Sequence, residues 1–189
     1  WALRRAERLI TVSPSLKRWM CDQGFAENRV VYVPNGVPPI EATPRETPTG
    51  KWTLGMAALF RPRKGMEVLI EALATMRSQG FDVHLRAIGP FESPEYQEEI
   101  VSLAESRGVA DAITWTGFVD NIAAELAQID LFVLPSLFGE GLPMVVLESM
   151  AAAVPVIASH VEGIPEAIRP REEGLLFEPG SVSQLAMAV

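Results

Sequence analysis

Apolar residues in this chain fall in short runs separated by stretches with helical spacing, and the alternation repeats along most of its length. "RLITVS" reads as a strand, "SPSLKRWMCDQG" as a helix stopped by Gly24, and "NRVVYVPNGV" as a strand broken by Pro34 and an Asn35-Gly36 turn. Then the composition shifts: "PPIEATPRETPTG" carries Pro38, Pro39, Pro44 and Pro48 with almost no apolar residues, which predicts a linker over 39–50. Beyond it "KWTLGMAALF" reads as a strand. "KGMEVLIEALATMRSQG" reads as a helix with Met66, Leu69, Ile70, Leu73 and Met76 on one side and Gly80 at its end, and "FDVHLRAIG" as the next strand. "SPEYQEEIVSLAESRG" is predicted as a helix with Pro94 early and Gly108 at its stop, "AITWTG" as a strand and "NIAAELAQ" as a short helix. "DLFVLP", "PVIAS" and "GLLFE" complete the strands, with "PMVVLESMAAA", opened by Pro143, and "IPEAI" as the helical pieces between them. Strands alternating with helices predict an α/β domain over 51–189, a doubly wound parallel sheet of about six strands, preceded by a fragment of another unit over 1–38.

The chain begins in "WALRRAERLI", without an initiator methionine, and ends in "SVSQLAMAV", where a helix is only getting established. Both ends are therefore expected to be cuts in a longer polypeptide. The 189 residues are 48% hydrophobic and 21% charged, the makeup of a globular protein with a sizeable core. A formal net charge of −8 argues against a general nucleic-acid or anionic-membrane surface, so any anion site must be local. The single cysteine, Cys21, forms no internal disulfide and is expected to be a helix residue without a redox role. No apolar run has the length of a spanning helix, and the default expectation is a cytoplasmic location.

Ligands of open α/β sheets bind outside the carboxyl ends of the strands, which directs attention to the loops that follow strands. "RPRKG" sets Arg61, Arg63 and Lys64 just before a helix N-terminus, where the dipole disfavours cations unless both face a bound anion. A solvated basic turn explains this loop alone as well. "SLFGEGLP" places Gly139 and Gly141 at another helix start, and Glu140 between them suits neutral hydroxyls beside a phosphate, as on a sugar. Glu148, further along that helix, is placed to meet a vicinal diol such as a ribose. Spacing alone also allows a first-turn acid and an exposed glutamate.

"EGLPMVVLESMA" after "DLFVLPS" and before "PVIAS" resembles the E-x7-E region of retaining glycosyltransferases of family four, which have two Rossmann-like domains in the arrangement called GT-B. "PNGV", "RPRKGMEVLIEAL", "GFVDNIAAELAQIDLFVLPS", "GIPEAI" and "GLLFEPGS" extend the resemblance over nearly the whole chain. It implies that residues 51–189 are a Rossmann-like donor-binding domain, truncated at its C-terminus. Residues 1–38 would then be the end of the acceptor-binding domain plus an interdomain strand. It further implies that a nucleotide-diphosphate sugar, such as a UDP-, GDP- or ADP-sugar, is the donor. Glu140 would contact the donor sugar, Glu148 the ribose and Lys64 the diphosphate, helped by the backbone N–H groups of Gly141, Leu142 and Met144. Phe118 and Val119 would line the base. The family's arginine five residues before the lysine is replaced by Leu59, so Arg61 or Arg63 is expected to take its place. Ala153 stands where the family has a glycine after the helix, so a different helix exit is expected. The role of Glu166 in "GIPEAI" stays open.

The implied reaction is sugar transfer to an acceptor hydroxyl with retention, helped by anion stabilisation and with no metal required. The acceptor, a glycan, lipid or small molecule, would be held by the missing domain, which would also supply any peripheral membrane contact. His84 and His160 are too few for a histidine-rich metal site; His84 reads as a sheet residue and His160 as a minor donor contact. Two other readings remain: a sugar-nucleotide epimerase on the same scaffold, and a non-catalytic nucleotide-binding module. A nicotinamide dehydrogenase is disfavoured because no G-x-G-x-x-G follows a strand.

Overall fold

Four of the described helices begin on side-chain caps. Ser13, Ser93, Asn121 and Ser181 each accept a hydrogen bond from the N–H three residues on. They open α1 (Pro14–Asp22), α3 (Pro94–Ser106), α4 (Ile122–Leu126) and α7 (Val182–Ala188). Pro14 and Pro94 occupy the first turn, where a missing N–H costs nothing. The computed structural model describes residues 2–40 and 46–189; Trp1 and the part of the expected linker at 41–45 lie outside the described residues.

Four helix ends share one motif. At the exits of α1, α2 (Met66–Ser78) and α3, Gly24, Gly80 and Gly108 adopt φ of 86°, 92° and 67°. In each, the next N–H reaches back into the last turn: Phe25 to Met20, Phe81 to Met76 and Val109 to Ala104. α5 (Met144–Ala151) ends the same way, with Ala153 N–H on the Met150 carbonyl at 3.0 Å and Val154 N–H on that of Ser149 at 2.9 Å. Here the expected departure does not occur. Ala153 takes the left-handed position itself, at φ 54°. The two backbone hydrogen bonds and the burial of Val154, 2% exposed, offset its strain. Ala153→Gly should therefore stabilise the fold by about 1 kcal/mol, seen as a higher midpoint of urea unfolding; an unchanged midpoint would contradict this account of the cap.

Two sheets form. β1 (Leu9–Thr11) and β2 (Val30–Tyr32) pair in parallel, with Ile10 opposite Val31. The other strands are β3 (Trp52–Ala57), β4 (Val83–Ile88), β5 (Ile113–Gly117), β6 (Leu131–Leu134), β7 (Val156–Ser159) and β8 (Gly174–Phe177). They form one parallel six-stranded sheet in the order β5-β4-β3-β6-β7-β8. Alternate side chains go to opposite faces. Leu54 and Met56 of β3 and Leu131 and Val133 of β6 join a core with α2, α3 and α7. Phe132 and Leu134 join one with α4, α5 and the short α6 (Ile164–Ala167). This is the doubly wound α/β sheet expected from the sequence.

The strand order decides where a site can form. The chain starts this sheet at β3, builds outward through β4 and β5, then returns to the other side of β3 as β6. Neighbouring β3 and β6 thus send their exits to helices on opposite faces, α2 and α5, and open a crevice between the two loops.

Candidate functional site

Both loops at that crevice are the ones singled out by composition. After β3 the chain makes a 3-10 turn over Pro62–Lys64 that carries Arg63 and Lys64; after β6 it runs through 135–143 before α5. The Lys64 ammonium donates to Glu140 Oε1, and the same oxygen accepts the Ser136 hydroxyl at 2.6 Å. Arg63 Nη1 stands 3.8 Å from it and donates to the carbonyls of Gly139, at 2.8 Å, and Phe138, at 3.2 Å. Leu137 N–H returns a bond to the Arg63 carbonyl at 2.8 Å. The Glu140 side chain is only 6% exposed and that of Lys64 14%. A carboxylate so far from water needs its cation, because burial of an unpaired charge is costly.

Two further segments close on the same loop. Asn35 Nδ2 donates to the Leu142 carbonyl at 2.9 Å, bringing the "PNG" turn to the start of α5. After β7, the Glu162 carboxylate accepts from the N–H groups of Gly139, at 3.0 Å, and Glu140, at 3.2 Å. Glu166, whose role the sequence left open, accepts the Ser15 N–H in the first turn of α1 at 2.8 Å and lies 3.6 Å from Arg18. Between α1, with Ser15, Leu16 and Trp19, and the loops bearing Glu140, Gly141 and Glu162 lies a cavity of about 470 Å³. Its floor carries two glutamates and two glycines, and its α1 wall sets Leu16 and Trp19 beside Ser15.

The profile of glycosyl transferases group 1 matches residues 51–189. The chain belongs to that family. An exopolysaccharide phosphotransferase of Streptomyces coelicolor is 32% identical over 97% of this chain and 19% of its own length. A phosphatidyl-myo-inositol mannosyltransferase of Mycobacterium leprae is 30% identical over 95% of this chain and 48% of its own. This chain thus spans half or less of both relatives. In three dimensions Anabaena Alr3699/HepE, solved in complex with UDP and glucose, superposes with a TM-score of 0.87 at 23% identity, over 97% of this chain and 52% of that one. That likeness gives the shared fold.

Against this group 1 framework the remaining sequence candidates take definite places. Arg61 Nη1 pairs with Glu92 at 3.3 Å, so of the two arginines Arg63 is the one bonded to the Glu140 loop. Leu59 is partly exposed beside them. Gly141, Leu142 and Met144 lie at the start of α5, which among the described residues has no side-chain cap. Glu148 is half-buried on the same helix, and burial pushes its carboxyl above the ordinary glutamate range. Phe118 is 75% exposed beyond β5, while Val119 packs against the core of the α5 face. His84 bonds Asp82 at 2.9 Å, the His160 N–H donates to the Phe177 carbonyl, and Cys21 is a free thiol packed beside Leu9, Met20 and Val30. Among the described residues no helix is long and apolar enough to cross a membrane.

Sequence reasoning missed Ser136, Glu162 and Asn35. Ser136 precedes Glu140 by four residues inside a loop already under suspicion, yet a serine after a strand has no spacing that marks it. Asn35 was legible only as a turn residue. Glu162 sits at φ 28°, a backbone conformation that its residue type gives no reason to expect.

Proposed function

We propose that this chain is the donor-binding part of a retaining glycosyltransferase and holds a nucleotide-diphosphate sugar at the β3/β6 crevice. The observation that carries the proposal is the Lys64–Glu140–Ser136 cluster at the strand-order switch, beside the uncapped start of α5. Membership of glycosyl transferases group 1 and the UDP complex of the superposed HepE support it.

In this reading the diphosphate lies between Lys64, Arg63 and the N–H groups at the start of α5. Its arrival draws the Lys64 ammonium toward phosphate oxygens and frees Glu140 Oε1 to accept a donor-sugar hydroxyl. As the bond from the anomeric carbon to the diphosphate oxygen breaks, negative charge grows where the two cations and the helix end already point. The acceptor oxygen bonds to the anomeric carbon on the face the diphosphate leaves, which retains configuration, and its hydroxyl proton passes to the departing diphosphate oxygen. Glu148 receives the ribose hydroxyls, and Phe118 and Val119 flank the base. The acceptor is held by residues beyond this chain, and the reaction needs no metal.

Glu148 makes the reading pH-sensitive in a specific direction. Its raised pKa means that the folded state holds the proton more tightly than the unfolded chain, so Glu148 favours folding when protonated and loses that contribution as pH rises through its folded pKa. Ribose binding needs the ionised form. Nucleotide affinity should therefore fall on acidification at a higher pH than an ordinary glutamate would give. Glu148→Gln should raise the melting temperature at neutral pH and lose this advantage in acid; a variant with parallel melting curves at both pH values would count against it.

Isothermal calorimetry of the 189-residue chain with UDP, GDP and ADP tests the donor assignment. One nucleotide should bind, and Lys64→Ala should weaken it about tenfold or more, as loss of a charge-assisted contact predicts. No binding of any of the three would overturn the assignment.

A further inference from the structure

We infer that Glu162 is a positioning residue, which sets Glu140 in place against Lys64 from a different loop. The inference rests on the donor-site reading for its consequence in binding, but not for its geometry. Both carboxylate oxygens of Glu162 are used, one on the N–H of Gly139 and the other on the N–H of Glu140. The next residue completes the hold: Gly163 N–H donates to the Glu140 carbonyl at 3.2 Å. The peptide units on both sides of Glu140 are thus fixed by residues 162 and 163. With the backbone held there, its side chain reaches Lys64 and Ser136.

The residue type makes this arrangement informative. Glu162 occupies φ 28°, where an L side chain is strained and glycine is not. A glutamate there has a conformational cost that only its carboxylate bonds can offset. Those bonds are charge-assisted, and they end in a pocket of successive N–H groups created by the left-handed turn at Gly139, φ 78°. The chain fills this concavity with its own anion. The strap also faces the cavity between α1 and the Glu140 loop, which Glu162 itself lines.

Glu162→Gly separates the strap from ordinary stabilisation, because it relieves backbone strain while removing both acceptors. In the 189-residue chain its melting temperature should stay level or rise. Amide exchange at Gly139 and Glu140, followed by NMR, should accelerate by about tenfold, as loss of two charge-assisted bonds implies. Lys64 should be acetylated faster by acetic anhydride, since Glu140 no longer holds it, and the affinity for whichever of UDP, GDP and ADP binds should fall by about tenfold. Glu162→Gln keeps one good acceptor and should lie between wild type and glycine in all three readouts. Unchanged exchange and unchanged Lys64 reactivity in Glu162→Gly would overturn the inference; so would tighter nucleotide binding, which would make the carboxylate an occupant of an anion site instead. If the wild type binds none of UDP, GDP and ADP, the donor reading fails, while exchange and acetylation still decide the role of Glu162.

Discussion

Replacing Lys64 with methionine is expected to destabilise the fold by about 2–4 kcal/mol, the scale set by removing one partner of a buried ion pair. The loss does not come from the lysine's own packing, which methionine largely preserves. It comes from Glu140, left at 6% side-chain exposure with, among the described residues, the Ser136 hydroxyl at 2.6 Å and Arg63 at 3.8 Å. Glu140→Gln should cost less, because Lys64 is the more exposed partner and the amide oxygen still accepts from it. The double variant should be more stable than the two single losses predict, with a coupling of about 1–3 kcal/mol. Urea unfolding of the four proteins measures this. Additive losses would mean that the pair is a solvated contact and that Glu140 is not held by Lys64.

Gly163→Ala is expected to have an effect of similar size for a steric reason. Gly163 has an ordinary negative φ, −82°, so alanine fits its backbone. Space is what forbids it: a Cβ would lie 1.4 Å from the Gly141 carbonyl oxygen. The loop after β7 and the loop after β6 must move apart, and the Gly163–Glu140 hydrogen bond goes with them. We expect a loss of about 2–3 kcal/mol, at the upper end of overpacking effects, with nucleotide affinity falling alongside. Gly50→Ala is the control, since nothing lies within 4 Å of its Cβ; it should stay within about 0.5 kcal/mol of wild type. Equal effects at the two positions would sink the close-approach argument.

Much of this architecture was legible in the sequence because its signals are local. Gly24, Gly80 and Gly108 end their helices as the pattern predicts, and each alternating run of apolar residues became a strand. Ala153 shows where local reasoning stops. Its side chain argued against a left-handed exit, yet the buried Val154 and two backbone bonds held it there. The loops of the site were legible for a different reason: cations before a helix are unfavourable unless something long-range explains them, and glycines on both sides of Glu140 mark a close backbone approach. What joins those loops was not legible. Lys64 and Glu140 are 76 positions apart, and Glu162 meets Glu140 through backbone N–H groups that every residue except proline possesses. The sequence could name the acid and the cation; the strand order put them in contact.

The most direct test of the central claim is a crystal structure of this chain with a bound nucleotide sugar. The diphosphate should lie within hydrogen-bond distance of Lys64 and the start of α5, the ribose at Glu148, the base beside Phe118 and Val119, and the sugar over Glu140. Density for the ligand away from the β3/β6 crevice, with Lys64 still closed on Glu140, would contradict it.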